Sequence, residues 1–369
     1  MSGAATTGRL QVGFVAGERG IGKSSLAAFA RALSEREHQV IGLHAFLGGV
    51  STLEEMVRRI FDRLVKESID KPWYGRVRDF LGSKISAVGL YGVSMEFAAG
   101  SQDLQRLVND FVPAIRNLAE KLRDQKKGLL LILDDINGLA ESPAFANWLK
   151  SVVDEIATGA RAVPLCVLLV GLEERRDSLV RLQPSLARVL NIIEIQPWSD
   201  EETLDFFAQA FRSAGVEVDD AALRLIVGYT GGLPVLAHEI GEATFKADSD
   251  DRIDENDALA GVVNAAEIVG RKFLQPQVLK AVRSERYRTI LQKMSRETHG
   301  LTIQRAQLRK ALTEHERTVL DNFLRRMESL GVVRRDDSAG RGAYQFTNRL
   351  HELYFALQAI VNRSKSKQS

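Results

Sequence analysis

Apolar positions in the first 200 residues fall into short unbroken runs separated by stretches with helical spacing. Residues 10–16 form an apolar run that predicts a strand, and residues 24–33 an amphipathic helix behind it. A second apolar run, 40–46, predicts another strand. Residues 52–66 then place Leu53, Met56, Ile60 and Leu64 on one helical face, with Ser51 or Thr52 as N-cap before Glu54 and Glu55. Leu104, Leu107, Val108, Phe111, Ile115, Leu118 and Leu122 predict one long helix over 103–125. Residues 129–133 are apolar throughout, as a strand buried on both faces should be. A helix over 143–158 and strands over 165–170 and 189–195 follow. Five strands separated by helices predict an α/β fold with a parallel sheet covered on both sides.

Three segments depart from that rhythm. In 84–100, Ile85, Ala87, Tyr91, Val93, Met95 and Phe97 alternate among glycines, which predicts an inserted hairpin serving as a core cover or a contact surface. From Ser199 the strands stop. Ser199 is an N-cap followed by Asp200, Glu201 and Glu202, acids that suit the start of a helix. Helices continue to about 270 as a small lid bundle, with an acidic turn at 248–257. From about 285 the spacing predicts helices at 285–296, 304–312 and 314–330, with Gly331 at the C′ position. Strand-like residues 332–335 and 344–346 flank a turn at 336–342, and helices plus hairpin describe a winged helix closed by a helix over 348–361. The expected domains are 1–198, 199–275 and 276–362, with a disordered tail at 363–369.

Composition narrows the class. Hydrophobic residues make up 45% and charged residues 27% of 369, ordinary for a globular protein of two or three domains. The single cysteine, Cys166, lies in a strand-like run and excludes a disulfide framework within the chain; with no signal-like start, this predicts a cytoplasmic setting. No apolar run approaches a membrane span, so no membrane partner is expected. The net charge of +2 conceals an asymmetry. Residues 271–369 hold 21 Lys and Arg against 9 Asp and Glu, a balance of +12, while residues 1–270 hold 29 against 39, a balance of −10. A basic C-terminal third on an acidic body suggests a nucleic-acid module, or else a basic face docking on that body.

The chemistry starts between the first strand and its helix. Gly17, Glu18, Arg19, Gly20, Ile21, Gly22, Lys23 and Ser24, followed by Ser25, complete a G-x-x-x-x-G-K-[ST] phosphate loop. Glycines let the backbone wrap phosphates, and amide N–H groups at the helix start point at them. Lys23 would reach the β- and γ-phosphates of ATP, and the Ser24 hydroxyl would hold Mg²⁺. The third strand ends in Asp134 and Asp135. An acid there reaches the sheet edge beside the loop, so Asp134 is the second candidate metal holder and Asp135 the candidate water-positioning base. The six histidines and one cysteine form no metal spacing, and His44 reads as structural.

GERGIGKSS, LLLILDD and TGGLP at 230–234 together resemble AAA-like and STAND-like P-loop ATPases. The similarity runs over about 10–360 and is nearest to members with an origin-recognition-like ATPase domain and a C-terminal winged helix. The resemblance implies an ASCE-type five-stranded core, a helical lid, and contact of Gly232 and Pro234 with the base and ribose. An arginine finger, where the family uses one, lies before the fifth strand; Arg188 is the best positional match and Arg181 the runner-up, the alternative being that both are surface arginines. Two departures stand out. Most AAA+ members carry Glu where Asp135 stands, and the fourth strand ends without a polar sensor unless Glu173 or Arg175 substitutes.

For the C-terminal module, the resemblance puts helix 314–330 in a DNA groove and the wing on phosphate. Outward residues Arg317, Asn322, Arg325 and Arg326 are mixed with Glu316, Asp321 and Glu328, so Arg334, Arg335 and Arg341 of the wing are the better nucleic-acid candidates. Two readings follow. One is an ATP-driven switch or motor acting with duplex DNA in replication, transposition or phage defence. The other is a STAND-type signalling ATPase whose nucleotide state controls homo-oligomerisation and a separate effector protein. A nucleotide kinase fits the lid bundle and the second acid less well.

Overall fold

The structure, a computed structural model, describes residues 10–82, 99–159, 163–279, 284–297 and 302–366. The inserted hairpin expected over 84–100 lies outside the described residues apart from its last two positions. The chain divides into two compact units, Met1–Gln196 and Pro197–Ser369.

In the first unit the elements are β1 (Gln11–Ala16), α1 (Lys23–His38), β2 (Val40–Phe46), α2 (Leu53–Ser68), α3 (Tyr74–Gly82), α4 (Ser101–Asn109), α5 (Phe111–Leu122), β3 (Gly128–Asp134), α6 (Pro143–Thr158), β4 (Leu165–Val170), α7 (Glu173–Leu182) and β5 (Leu190–Glu194). The five strands form one sheet in the order β2-β3-β4-β1-β5. All four pairings are parallel. This is the P-loop NTPase arrangement expected from the sequence. β3 and β4 are buried along their whole lengths because helices cover both faces.

Alternation along the strands sends side chains into two layers. Leu129, Leu131 and Leu133 of β3 join the large core with Met56, Val57, Ile60, Phe61 and Leu64 of α2. Leu130 and Ile132 face the other way, with Val15, Cys166 and Ala27 of α1. Burial of each large α2 side chain is worth roughly 1.5–3 kcal/mol before entropy is counted. Thr52 caps α2 through its side chain, as predicted, by accepting from the Glu55 N–H at 3.3 Å.

The helix expected over 103–125 is two helices, α4 and α5, meeting at Asp110. Pro113 is the reason. It lacks the N–H that would have bonded the carbonyl of residue 109, so the ladder is interrupted and restarts.

In the second unit, α8 (Asp200–Ser213) starts with a complete capping box between Ser199 and Glu202. It is followed by β6 (Glu217–Val218), α9 (Asp220–Thr230), α10 (Pro234–Ala247), β7 (Arg252–Ile253), α11 (Glu255–Val269) and a π-helical stretch, Gly270–Leu279. Then come α12 (Glu285–Glu297), β8 (Thr302–Gln304), α13 (Arg305–Ala311), α14 (Glu314–Arg317), α15 (Leu320–Ser329), β9 (Val333–Arg335), β10 (Ala343–Phe346) and α16 (Arg349–Ser366). β8, β10 and β9 form a three-stranded antiparallel sheet in that order. The hairpin was expected; β8 was not. The helix expected over 314–330 breaks near Thr318 and Val319. There the Thr318 hydroxyl bonds back to the His315 carbonyl, and Val319 N–H pairs with Glu316 three residues earlier. α15 ends in a Schellman motif: Gly331 has φ 67°, its N–H bonds Glu328 and that of Val332 bonds Met327.

Two apolar clusters hold this unit, one around Phe207, Ile226 and Val262, the other around Ile290, Phe323 and Phe346. α16 supplies Leu350 to the first and Tyr354 and Phe355 to the second, which joins them. It also runs to Ser366, so residues 363–366 of the expected disordered tail are helical.

Candidate functional site

The phosphate loop sits between the end of β1 and the start of α1, at the C-terminal edge of the sheet. Gly17, Gly20 and Gly22 all have positive φ, a conformation that other residues resist. Ile21, 3% exposed, anchors the loop from below, while Glu18, Arg19, Gly20, Ser24 and Ser25 face solvent.

The start of α1 is built differently from those of α2, α8 and α11. α2, α8 and α11 are capped by Thr52, Ser199 and Asp254 and carry acids in their first turns. α1 has Gly22 at the N-cap, no side-chain cap and no acid in the first turn. Its first-turn N–H groups are therefore offered to an external anion. Lys23 Nζ donates to the carbonyls of Gly17 at 2.9 Å and Glu18 at 2.6 Å, which holds the ammonium inside the loop. Burial pulls the Lys23 pKa below the ordinary lysine value. Asp134 is the strongest charge acting on it, in the raising direction, and Asp135 and Glu18 act the same way while Arg19 lowers it.

Asp134 ends β3 and is buried. Its Oδ2 lies 2.8 Å from His44 Nε2 on β2. Its backbone carbonyl accepts from Leu47 N–H at 2.7 Å, which ties the β2 end to the β3 end. The donor set fits a magnesium ion: one carboxylate and one hydroxyl from the protein, the rest from phosphates and water. Among the described residues no group of three or more His, Cys, Asp and Glu is placed to hold a metal ion.

Asp135, by contrast, is exposed and sits in the left-handed region at φ 58°, ψ 54°. That conformation costs a non-glycine residue on the order of 1 kcal/mol, and strain of this kind collects at working sites. Its Oδ1 accepts from the Asn137 side-chain amide, and its Oδ2 lies over Gly48, where an added Cβ would come within 2.9 Å. Asn137 Oδ1 in turn accepts from Leu172 N–H at 3.3 Å, at the end of β4. Asn137 thus joins the second acid to the end of β4, the place where a polar sensor is expected. Of the substitutes considered there, Glu173 is exposed and Arg175 is paired with Glu141.

The structure brings Lys23, Asp134 and Asp135 to one sheet edge; Ser24 follows Lys23 in the same turn. It does not bring Arg188 there. β1 and β5 run parallel with Val12 opposite Leu190 and Ala16 opposite Glu194. Arg188 precedes β5, so it lies at the other end of the sheet, about 13 Å or more from its own loop. Arg181 donates to the Ser178 hydroxyl on α7.

Gly232 and Pro234 belong to the second unit. Gly232 N–H bonds the Thr230 hydroxyl at 3.1 Å and its carbonyl accepts from Trp198 N–H at 2.9 Å, while Pro234 opens α10. Arg334 and Arg335 are exposed on β9 and Arg341 on the turn beyond it. Arg335 is engaged with Glu328 at 3.1 Å, which raises its pKa. Glu316, expected to face outward, is buried instead: it accepts from Lys293 Nζ at 2.7 Å and from Thr313 N–H at 2.8 Å. Sequence reasoning also missed the partners of His44 and Asn137. The signal for His44 was its place on the same strand face as the end of β3.

Residues 2–226 match the AAA ATPase domain family, which is more than half of the chain, and the chain belongs to that family. Among solved structures it is similar to the ORC2 protein of Aeropyrum pernix in its ADPNP–ADP complexes, at 18% identity and TM-score 0.57, covering 98% of this chain and 89% of that one. It is also similar to a Walker-type ATPase of Pyrococcus abyssi, at 15% identity and TM-score 0.55, covering 93% and 90%. At these identities the likeness is one of fold. No curated protein matches the chain. Among the described residues no helix is long and apolar enough to cross a membrane.

Proposed function

We propose that this AAA ATPase is a magnesium-dependent nucleotide switch that binds ATP on loop 17–25, hydrolyses it slowly and acts with nucleic acid through its C-terminal third. The observation that carries the reading is the meeting of uncapped α1, Lys23, Asp134 and Asp135 at one sheet edge. First-turn N–H groups and Lys23 take the phosphate charge. The Ser24 hydroxyl and Asp134 would hold Mg²⁺, which would supply neutralisation of phosphate charge. Asp135, oriented by Asn137, accepts a hydrogen bond from the attacking water and draws its proton. An aspartate reaches less far than a glutamate, which is why turnover is expected to be slow.

Arg188, at the far end of the sheet from its own loop, serves only a neighbouring copy's site, so full activity requires assembly. We read α12, α13, α15 and the sheet β8-β10-β9 as a winged helix, with Arg334, Arg335 and Arg341 on nucleic-acid phosphate. One observation favours a protein partner for that module instead. Arg335 pairs with Glu328, and Arg305 with Asp321 at 2.7 Å, so the surface is of mixed sign. That is the signalling reading, in which an effector chain responds to nucleotide state.

ATP turnover separates this proposal from a non-enzymatic role. The wild-type chain should release phosphate in the presence of Mg²⁺, and Lys23→Ala should not. Phosphate release from Lys23→Ala at the wild-type rate would remove the loop from the mechanism.

A further inference from the structure

We propose that His44 is a positioning residue for the divalent cation, acting by fixing the carboxylate of Asp134. The inference rests on the reading of Asp134 as a metal-holding residue.

β2 and β3 pair in parallel with His44 opposite Ile132 and Phe46 opposite Asp134. Alternation puts His44, Phe46, Ile132 and Asp134 on the sheet face that carries α1 and the phosphate loop. His44 Nε2 and Asp134 Oδ2 are 2.8 Å apart, and both side chains are 3% exposed. A carboxylate oxygen only accepts, so Nε2 carries the hydrogen and donates it. Phe46 stacks on the imidazole with centroids 4.3 Å apart and planes 23° from parallel, which fixes the ring.

The consequence is an oriented carboxylate. One oxygen is held by His44, leaving Oδ1 for the cation. A buried carboxylate without that donor would lose a charge-assisted bond and swing about its terminal torsion. Groups that orient a ligating side chain govern metal affinity, and their loss typically weakens it about 10–100-fold. A histidine serving the core alone would leave metal affinity unchanged.

The test uses the full chain, a non-hydrolysable ATP analogue and magnesium chloride, with binding read by calorimetry and folding by thermal melting. The Mg²⁺ concentration giving half of the tightening of analogue binding is compared between variants. His44→Ala should raise that concentration about 10-fold or more, while analogue binding in EDTA stays as in the wild type. His44→Gln, whose amide reaches the Nε2 position, should recover most of the loss. If His44→Ala does not fold, His44→Asn, which is too short to reach, takes its place. Asp134→Asn is measured in parallel. If Asp134→Asn raises the half-point and folded His44→Ala or His44→Asn leaves it unchanged, the positioning role is overturned alone. If neither changes it, the reading of Asp134 falls and the inference with it. Equal weakening with and without Mg²⁺ would make His44 structural only.

Discussion

His44 and Asp134, ninety positions apart in sequence, meet at 2.8 Å through Nε2 and Oδ2 where β2 and β3 end. The contact gives Asp134 a structural role beside the proposed chemical one. Asp134→Ala should abolish Mg²⁺-dependent turnover and, by leaving the imidazole without its acceptor in a buried site, lower stability by about 1–3 kcal/mol. Denaturant melts of wild type and variant check the second effect separately from the first. Unchanged stability would mean that the pair is not a net stabilising contact.

Arg188 gives a prediction about assembly. Because it precedes β5 at the far end of the sheet from its own loop, it cannot complement that loop. Arg188→Ala should leave nucleotide affinity intact and cut turnover about 10³-fold or more if it acts as a finger in trans. Mixing it with Asp135→Asn should restore part of the activity, since each variant spoils a different half of a shared site. Light scattering with and without ATP supplies the stoichiometry. A monomer at every ATP concentration, with no rescue on mixing, removes the ring.

The C-terminal third carries the nucleic-acid prediction. The full-length chain should bind duplex DNA with an affinity that falls steeply with salt, as counterions are released. Reversing Arg334, Arg335 and Arg341 to Glu should weaken all sequences alike and flatten the salt slope, because phosphate contacts carry no sequence information. Of the three, Arg335 already pairs with Glu328, so its single reversal should matter least. No DNA or RNA binding at about 50 mM salt, where electrostatic binding should be strong, would turn the account toward a protein effector.

His351 on α16 makes acid stability testable. Burial lowers its pKa from 6.5 to about 4, and Thr347 lies 3.2 Å from its Nδ1. Below pH 6.5 the unfolded chain takes up a proton at this position that the folded chain refuses until about pH 4. Stability should therefore be fully present above pH 6.5 and decline as pH falls through that window. The ring is partly exposed, so about 1 kcal/mol is a reasonable size after solvent screening. His351→Asn should flatten the fall in melting temperature between the two values. An identical pH profile for the variant would show that His351 is not responsible.

Local patterns carried most of the fold. Unbroken apolar runs gave the five strands, and Thr52 and Ser199 marked helix starts that the structure keeps. Long-range effects were harder to read. α3 carries Gly75 and ends in Gly82, which mask its helical character; its place is set by burial of Val77, Phe80 and Leu81. β8 is three residues long and exists as a strand by pairing with β10, some forty positions later. The meeting of Lys23, Asp134 and Asp135 at one sheet edge was legible because one strand–loop–helix unit and one strand end define it. The contacts of His44 and Asn137 depend on which strands lie side by side, and that information is absent from any local window.

The central claim is that Asp135 activates water at the edge where the phosphate loop holds ATP. It is tested most directly by measuring ATP hydrolysis and binding of a non-hydrolysable analogue for wild type and Asp135→Asn in one preparation. Asp135→Asn should bind the analogue as tightly as the wild type and turn over about 10²–10⁴-fold more slowly, the span that loss of a general base covers. Hydrolysis by Asp135→Asn at the wild-type rate would contradict it.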